Sequence, residues 1–467
     1  MKKYLLLFIP VAACCLFADC NSSPQQTSSP MKFSGAKGEI KLITLDPGHF
    51  HASLVQKFMY DQVDPTVHVY APEGPDVQSY LSTVEGFNAR AENPTAWKEV
   101  VYTGPDFMEK MLEEKAGNVV VLSGNNRKKA DYILASIEAG LNVLADKPMV
   151  IQPEEFPRLV EAFEKAAANG VMLYDIMTER YEISTILQKE FSQIPAVFGQ
   201  LQQGSEAEPA VTKESVHHFS KEVAGKPLIR PAWFFDVAQQ GEGMVDVSTH
   251  LVDLIQWECF PEQIIDYQKD IQILSVSRWA TELTPAMFGK VTGLKEYPEY
   301  LHKDLKNDSL LSVFANGEIN YTLKGIHAKT SVIWNFEAPA GAKDTHYSMM
   351  RGSKANLVIR QGAEQNYQPA LYVEPLAGTD LAVFEKELSS AVQQLNLKYA
   401  GLSYVVSENG FEIVIPDNFK VGHEAHFAQV TEKFLKYLAE GKLPDWEVPN
   451  MIAKYYTTTQ AFKQSIP

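Results

Sequence analysis

The sequence predicts an α/β protein with a parallel-sheet domain at its N-terminal end, followed by an α/β domain with a largely antiparallel sheet. Two patterns predict this fold. From Glu39 to about Met177, short apolar runs alternate with helical stretches, which is typical of a doubly wound parallel sheet. From about Ile271 to Val373, apolar residues recur at every second position, which is typical of strands with one buried face. The 467 residues suit two or three domains.

Six apolar runs predict the strands of the first sheet, and helical stretches separate them. The strands are IKLITL, VHVYA, VVYTG, NVVVLS, LNVLA and GVMLYDI, and the helices are SLVQKFMYD, DFMEKMLEEK, KKADYILASIEAG and EEFPRLVEAFEKAAANG. The segment Leu81–Trp97 is longer than this scheme needs, and we interpret it as a lid or an edge decoration. Because ligands bind at the carboxyl ends of parallel strands, the functional site is expected at that edge.

Three features mark the later half of the chain. Asn316–Gly317 predicts a hairpin turn. His217 and His218 are expected in a loop from which they could reach a substrate. HFAQVTEKFLKYLAEGKLP predicts a helix that ends at Gly441, whereas residues 375–420 carry no pattern that we can place.

The first residues resemble a bacterial lipoprotein signal. MKK is a positive segment, YLLLFIPV is a short apolar segment, and VAAC is a small-residue site that ends in Cys14. We expect residues 1–20 to form this signal region, with Cys14 acylated; Cys15 and Cys20 remain alternatives, as does an ordinary secretory signal. Residues 21–38 are polar and predict a flexible tether. The protein is then exported and lipid-anchored in the cell envelope.

Composition narrows the classes of partner. The formal net charge is −16 and no basic stripe is found, so we expect no nucleic-acid partner. No later apolar run could span a bilayer, so we expect membrane contact only through the lipid anchor. Cys259 is the one cysteine outside the signal region, which argues against an internal disulfide and a cysteine-based metal site.

The turn after the first strand reads LDPGHFHA. Turns that hold a dinucleotide usually carry G-x-G-x-x-G, and here Asp46, Gly48 and His51 occupy the three glycine positions. The middle glycine lets the backbone approach a pyrophosphate, and that one is retained. His49 and His51 also form an H-x-H pair, but without a third ligand we expect no metal site there.

A lysine follows the strand LNVLA, in the sequence Asp146-Lys147-Pro148. At the carboxyl end of a sheet strand it would point into the ligand crevice, where burial and a positive nicotinamide ring would lower its pKa. It could then form a hydrogen bond with a reacting hydroxyl and help to move its proton.

The stretch GEGMVDVSTHLVDLIQW predicts a buried helix. At helical spacing Asp246, His250, Asp253 and Trp257 share one face. Buried carboxylates and imidazoles need partners, so these side chains either satisfy one another or line a polar cavity.

Together these motifs resemble the glucose–fructose oxidoreductase/inositol dehydrogenase family, often called Gfo/Idh/MocA. The family has Glu-Lys-Pro where this chain has Asp146-Lys147-Pro148, and a glycine-rich turn followed by D-x-x-x-H-x-x-D. Lys129 occupies a position where the family usually has histidine. The resemblance implies a Rossmann-type domain over residues 39–180 and a substrate-binding and oligomerisation domain over residues 181–467. It assigns catalysis to Lys147, Asp246 and His250, and Asp253 remains open to a purely structural role.

The resemblance also implies a bound NAD or NADP. The residues expected to hold it are Gly48, His49, Phe50, His51, Glu73, Ser123, Asn125, Asn126, Asp146 and Lys147. Glu73 after the second strand favours NAD only mildly, so the choice stays open. Because free NAD is scarce outside the cytoplasm, export favours a cofactor that stays tightly bound.

The expected reaction is hydride transfer between a sugar or sugar-derived alcohol and the nicotinamide, with His250 as base and Lys147 and Asp246 orienting the hydroxyl. Two alternatives remain: an NAD-dependent glycoside-cleaving enzyme that oxidises its sugar transiently, and a sugar-binding lipoprotein without turnover. We expect a small carbohydrate substrate and a homo-oligomer.

Overall fold

The computed structural model of the chain describes residues 33–223 and 226–466. The signal region predicted for residues 1–20 lies outside the described residues, as does the tether up to residue 32. Phe33 falls within the predicted tether but is packed into the first core, with 5% of its surface exposed. The packed domain therefore begins before Glu39. None of the helices in the described ranges is long and apolar enough to cross a membrane.

The first sheet has six parallel strands, as the sequence predicts. They are β1 (Leu42–Leu45), β2 (Thr66–Ala71), β3 (Lys98–Thr103), β4 (Val119–Leu122), β5 (Asn142–Asp146) and β6 (Leu173–Ile176). Their order in the sheet is β3-β2-β1-β4-β5-β6. Every residue of β1, β4, β5 and β6 is buried, because helices cover both faces of a parallel sheet.

Five helices belong to this domain, namely α1 (His51–Leu54), α2 (Pro75–Ala89), α3 (Phe107–Glu114), α4 (Lys129–Glu138) and α5 (Phe156–Asn169). The interpretation of Leu81–Trp97 as a lid is wrong, because half of it is the second part of the crossover helix α2. Helix α1 is a single turn, shorter than predicted. Two residues beyond its last residue, the carbonyl of Gln56 accepts a hydrogen bond from Trp97 Nε1 at 2.6 Å, in place of a helical N–H.

The second sheet is mixed and mostly antiparallel. Its order is β10-β12-β13-β7-β14-β15-β16-β18-β17, with β11 beside β12, and only β13 and β7 pair in parallel. The strands are β7 (Val211–Ser220), β10 (Ile271–Leu283), β11 (Leu305–Lys306), β12 (Leu310–Leu323), β13 (Ile326–Glu337), β14 (Thr345–Arg351), β15 (Ala355–Gln361), β16 (Ala370–Pro375), β17 (Ser403–Ser407) and β18 (Gly410–Val414), and a separate hairpin joins β8 (Glu222–Val223) to β9 (Lys226–Pro227).

Two local predictions for this sheet are wrong. Asn316–Gly317 lies inside β12, and the hairpin turn is at Lys324–Gly325. The side chain of Asn316 is buried and bonds to distant backbone atoms, which holds it in the strand. His217 and His218 lie in β7 instead of in a loop.

The remaining helices are α6 (Ile183–Ser192), α7 (Val237–Gln240), α8 (Ser248–Cys259), α9 (Pro285–Thr292), α10 (Leu381–Leu395), α11 (His423–Glu440) and α12 (Glu447–Ser465). The predicted C-terminal helix is α11, and Gly441 ends it with a φ of 72°. Phe427, Phe434 and Leu438 of α11 belong to the core of the first domain. Helix α11 therefore packs against the first domain, although it follows the strands of the second sheet in the sequence.

A buried ionic network fixes α8 against both domains. Asp253 accepts two hydrogen bonds from Arg180, each at 2.7 Å, and one from Lys454 at 2.8 Å. Lys454 also contacts Asp175 of β6 at 2.6 Å, and Arg180 contacts Glu447. Both carboxylate oxygens of Asp253 therefore accept hydrogen bonds from buried cations, which favours the structural role that the sequence analysis left open for this residue.

Candidate functional site

The site lies at the carboxyl edge of the first sheet, where the second domain covers it. Strand β5 ends at Asp146, and the cis peptide bond between Lys147 and Pro148 follows. The turn after β1 carries Gly48 to the same edge, because β1 and β5 both flank β4. The segment before α8 approaches from the other side. The structure thus brings the main sequence-predicted groups together.

Lys147 and Asp246 form the centre of the site. Lys147 Nζ donates to Asp246 Oδ1 at 2.6 Å, and Gln240 Nε2 donates to Asp246 Oδ2 at 3.0 Å. Burial alone would lower the pKa of Lys147, but the carboxylates of Asp246 and Asp146 outweigh it and raise the pKa above its ordinary value. The two carboxylates therefore reverse the lowering expected from burial, and Lys147 is a charged hydrogen-bond donor.

His250 is the third member of the predicted catalytic set. Burial, reinforced by the positive charge of Lys147, holds its pKa well below the ordinary value, so the imidazole is neutral at pH 7. Its Nδ1 atom is buried and has no hydrogen-bond partner among residues 33–223 and 226–466. A neutral imidazole has one ring nitrogen with a free lone pair, which is able to accept a proton.

The predicted single helix face is wrong in detail. Asp246 precedes α8, in an irregular turn, and Trp257 lies under Lys189, 4.1 Å from ammonium to ring centroid. The turn is tight because Gly243 lies against β12: a Cβ atom there would be 1.8 Å from the carbonyl oxygen of Ala315. Helix α8 begins only at Ser248, and Asp246 in the preceding turn lies beside Lys147.

The turn after β1 keeps the one feature that a pyrophosphate requires. A Cβ atom on Gly48 would lie 3.1 Å from Asp76 Oδ2 and 3.3 Å from the Trp233 ring, so a larger residue would have to displace these side chains. The backbone N–H groups of Gly48 and His49 donate to the carbonyl of Ser123. Asp46 has a φ of 48° and accepts a hydrogen bond from a tyrosine, and burial raises its pKa.

Not all of the residues predicted to hold the cofactor point toward the same space. Gly48, His49, Phe50 and Glu73 line one cavity. Asn125 and Asn126 instead donate to Gln239 Oε1 at 2.6 Å and to the carbonyl of Gln240 at 2.7 Å, so they join the two domains.

His51, Ser123 and Asp146 form a compact polar group below the turn. Asp146 Oδ2 lies 2.9 Å from His51 Nδ1 and accepts a hydrogen bond from Ser123 Oγ at 3.0 Å. Lys129 Nζ donates to the backbone carbonyl of Asp146 at 2.9 Å, and burial lowers the pKa of Lys129 to about 8. Burial lowers the pKa of His49 well below its ordinary value.

We call the cavity above the turn the edge cavity. Its volume is about 630 Å³, and its walls come from the turn after β1, the end of β2 and the second domain around Trp233 and Tyr300. It therefore lies along the carboxyl edge, where doubly wound sheets bind dinucleotides, and its volume suits a ligand larger than a simple sugar.

Arg230 is a functional candidate that the sequence did not indicate. It lines the edge cavity, is 6% exposed, and donates to the backbone carbonyls of Phe219 and His218. Within the described ranges it contacts no carboxylate closely enough for a salt bridge, and burial lowers its pKa to about 10. Its guanidinium also lies over the rings of Phe234 and Trp334, 4.5 and 5.3 Å from their centroids, and an anionic group of a ligand would supply the opposite charge that it lacks. These features fit a dinucleotide, whose phosphates are anionic.

Comparisons with known proteins agree with this architecture. Residues 48–174 match the family "Oxidoreductase family, NAD-binding Rossmann fold", and residues 187–466 match "Putative oxidoreductase C terminal domain". No curated protein matches the chain.

Solved structures include strong matches. A "putative oxidoreductase" from Parabacteroides merdae is 58% identical, with 93% of this chain and 99% of that chain covered and a TM-score of 0.92. An oxidoreductase domain protein from Kribbella flavida shares the fold, with 17% identity, coverage of 91% and 96%, and a TM-score of 0.58. Levoglucosan dehydrogenase in complex with NADH and levoglucosan does so too, with 12% identity, coverage of 91% and 96%, and a TM-score of 0.55.

Proposed function

The chain belongs to the Gfo/Idh/MocA oxidoreductase family, and on that premise we propose that it is an NAD(P)-dependent oxidoreductase acting on a hydroxyl carbon of a sugar or sugar-derived alcohol. The observation that carries the proposal is the pair formed by Lys147 and Asp246, with the unpartnered His250 in the same site. This set lies beside a cavity that fits a dinucleotide.

Each of the three side chains has a distinct task. Lys147 is charged and donates a hydrogen bond to the oxygen of the substrate hydroxyl, which favours loss of its proton. Asp246 holds the ammonium in place, and its second oxygen is itself held by Gln240. His250 is neutral and accepts the hydroxyl proton at an imidazole nitrogen. The nicotinamide, when bound, supplies the hydride acceptor.

The chain holds the cofactor with the groups that line the edge cavity. Gly48 gives the pyrophosphate access to the turn, and Arg230 pairs with a phosphate. Glu73 follows β2 and accepts a hydrogen bond from a ribose hydroxyl, which favours NAD.

A carbohydrate substrate is proposed on two grounds. Lys147, Asp246 and His250 act on a hydroxyl, and a sugar presents several. Levoglucosan dehydrogenase also shares the fold over 91% of the chain.

The proposal is tested by identifying the nucleotide and then the reaction. We would denature the purified protein, analyse the released small molecules by mass spectrometry, and titrate the protein with NAD⁺ and NADP⁺. Release or binding of one of them, followed by its reduction with a panel of sugars, is the expected result. A protein that neither releases nor binds a nicotinamide nucleotide would refute the proposal. Glycan-product analysis would separate oxidation from glycoside cleavage.

We also propose that the protein is exported and anchored by a lipid on Cys14. The support is the sequence of residues 1–20, where a positive segment, an apolar segment and a small-residue site precede the cysteine.

A further inference from the structure

A cluster of metal-binding side chains lies at the end of β1 and β5. His49 and His51 come from the turn after β1, and Asp146 is the last residue of β5. The sequence predicted no metal site because the H-x-H pair lacked a third ligand. The fold provides one from a residue 95 positions away in the chain.

We propose that His49, His51 and Asp146 bind one divalent cation of the zinc class. One potential ligand atom from each residue lies within 4.8 Å of the others. Asp146 Oδ2 is 2.9 Å from His51 Nδ1 and 3.9 Å from His49 Nδ1. Zinc binds nitrogen and oxygen at about 2.0–2.2 Å, so ligand atoms in a tetrahedral site lie roughly 3.4 Å apart. The distances from Asp146 Oδ2 to the two imidazole nitrogens, 2.9 and 3.9 Å, lie on either side of this expected separation.

The donor set selects the class of metal. Two imidazoles and one carboxylate suit Zn²⁺ and its first-row neighbours, whereas Mg²⁺ and Ca²⁺ prefer oxygen ligands alone. Three protein ligands leave a position for a water or a substrate oxygen, as in catalytic zinc sites. Neighbouring residues hold two of the proposed ligands in position. Ser123 Oγ donates a hydrogen bond to Asp146, and the ring of His423 packs beside the ring of His51, with 5.1 Å between the centroids.

The site gives a role to the histidine at the third glycine position, but not to Asp46 at the first. His51 stands at the third glycine position, where it reaches Asp146, and His49 precedes it by two residues. The middle glycine, Gly48, is unaffected. His49 also lines the edge cavity, so the metal site adjoins the proposed nucleotide site and shares this residue with it, but neither site requires the other.

Three positively charged side chains, those of Lys129, Lys147 and Arg230, lie near the cluster and oppose a cation, and Lys129 provides the sharpest test. Lys129 donates to the backbone carbonyl of Asp146, so its ammonium lies close to the proposed metal. Two positive charges a few ångströms apart repel each other strongly in a buried site. Lys129→Met keeps the volume and removes this charge, so metal binding should become tighter by about tenfold or more.

The experiment uses untagged protein that has been treated with EDTA and then titrated with Co²⁺ and Zn²⁺. The expected result is one ion per chain, with visible absorption from the Co²⁺ form and displacement of Co²⁺ by Zn²⁺. His49→Ala and Asp146→Asn should each weaken binding by about 100-fold or more, because even loss of an outer partner costs about 10–100-fold. His302→Ala, which changes an exposed histidine elsewhere, is the matched control and should bind as the wild type does.

Several outcomes would overturn the proposal. One is a wild-type protein that binds neither ion in stoichiometric amounts at 100-fold molar excess over the chain. Unchanged binding in His49→Ala or Asp146→Asn, or in Lys129→Met, would contradict the assigned ligands. If Asp146→Asn fails to fold, the wild-type titration and His49→Ala, at a partly exposed position, still decide the matter. A wild-type protein that binds no metal would leave the nucleotide test described above unaffected, because that test detects the nucleotide directly in the wild-type protein.

Discussion

Replacing Asp253 with asparagine should destabilise the protein without abolishing turnover. The carboxylate accepts three hydrogen bonds from Arg180 and Lys454, and all three side chains are buried. Removing its charge leaves two buried cations with only Glu447 and Asp175 as counterions. Breaking a buried ion pair in this way costs about 3–5 kcal/mol.

The cost converts to a measurable shift in melting temperature. The entropy of unfolding is about 2.1 cal/mol/K per residue, so a cooperative transition of a chain of this length shifts by roughly 1 °C per kcal/mol. Calorimetry of Asp253→Asn should therefore show a melting temperature about 3–5 °C below that of the wild type. Asp266→Asn is the matched control, because Asp266 pairs with an exposed lysine and its replacement should leave the melting temperature essentially unchanged.

The same substitution has a pH signature. Burial alone would raise the pKa of Asp253, but Arg180 and Lys454 outweigh it and hold the pKa well below its ordinary value. A carboxylate with a lowered pKa stabilises the fold above its unfolded pKa of about 3.9, and this stability is lost as the pH falls further. The difference between wild type and variant should therefore shrink below about pH 4. An unchanged melting temperature at pH 7, or lost turnover at full stability, would refute the structural assignment.

Three further predictions concern the anchor, the cofactor turn and the base. Cys14→Ser should abolish labelling by a fatty acid and release the protein from membranes; continued labelling would assign the lipid to another cysteine. Gly48→Val would place a side chain against Asp76 and Trp233. Bound nucleotide should therefore be lost while the circular dichroism spectrum is unchanged. Full nucleotide occupancy in this variant would mean that the nucleotide binds elsewhere. Because burial lowers the pKa of His250, the rate of substrate oxidation should not fall as the pH drops through about 6.5, the ordinary pKa of histidine. A loss of rate at or above that pH would contradict a neutral buried base.

The sequence predicted the elements whose signals are local. Four of the strands in the parallel sheet are buried along their whole length, and their uninterrupted apolar runs are visible in the sequence. The C-terminal helix α11 was predicted with its glycine cap for the same reason. Lys147, Asp246 and His250 were placed together through the resemblance to a known family, since their separation along the chain gives no local signal.

The errors arose where distant atoms decide the local conformation. Beyond the end of α1, the carbonyl of Gln56 accepts a hydrogen bond from the side chain of Trp97 instead of from a helical N–H. Asn316 is held in a strand, where it donates to the carbonyl of Trp279 and accepts from the N–H of Trp334. Arg230 could not be predicted either, because its burial against the edge cavity depends on packing between the domains.

The central claim is that Lys147 and His250 act together on a substrate hydroxyl, and single-turnover reduction of the bound nucleotide tests it most directly. His250→Ala and Lys147→Ala should each slow that reduction by about 10²–10⁴-fold while the nucleotide stays bound, since both residues act on the substrate. The double variant should be little slower than the slower single variant, because residues that act as a unit are not additive. Reduction at the wild-type rate in His250→Ala would contradict the account.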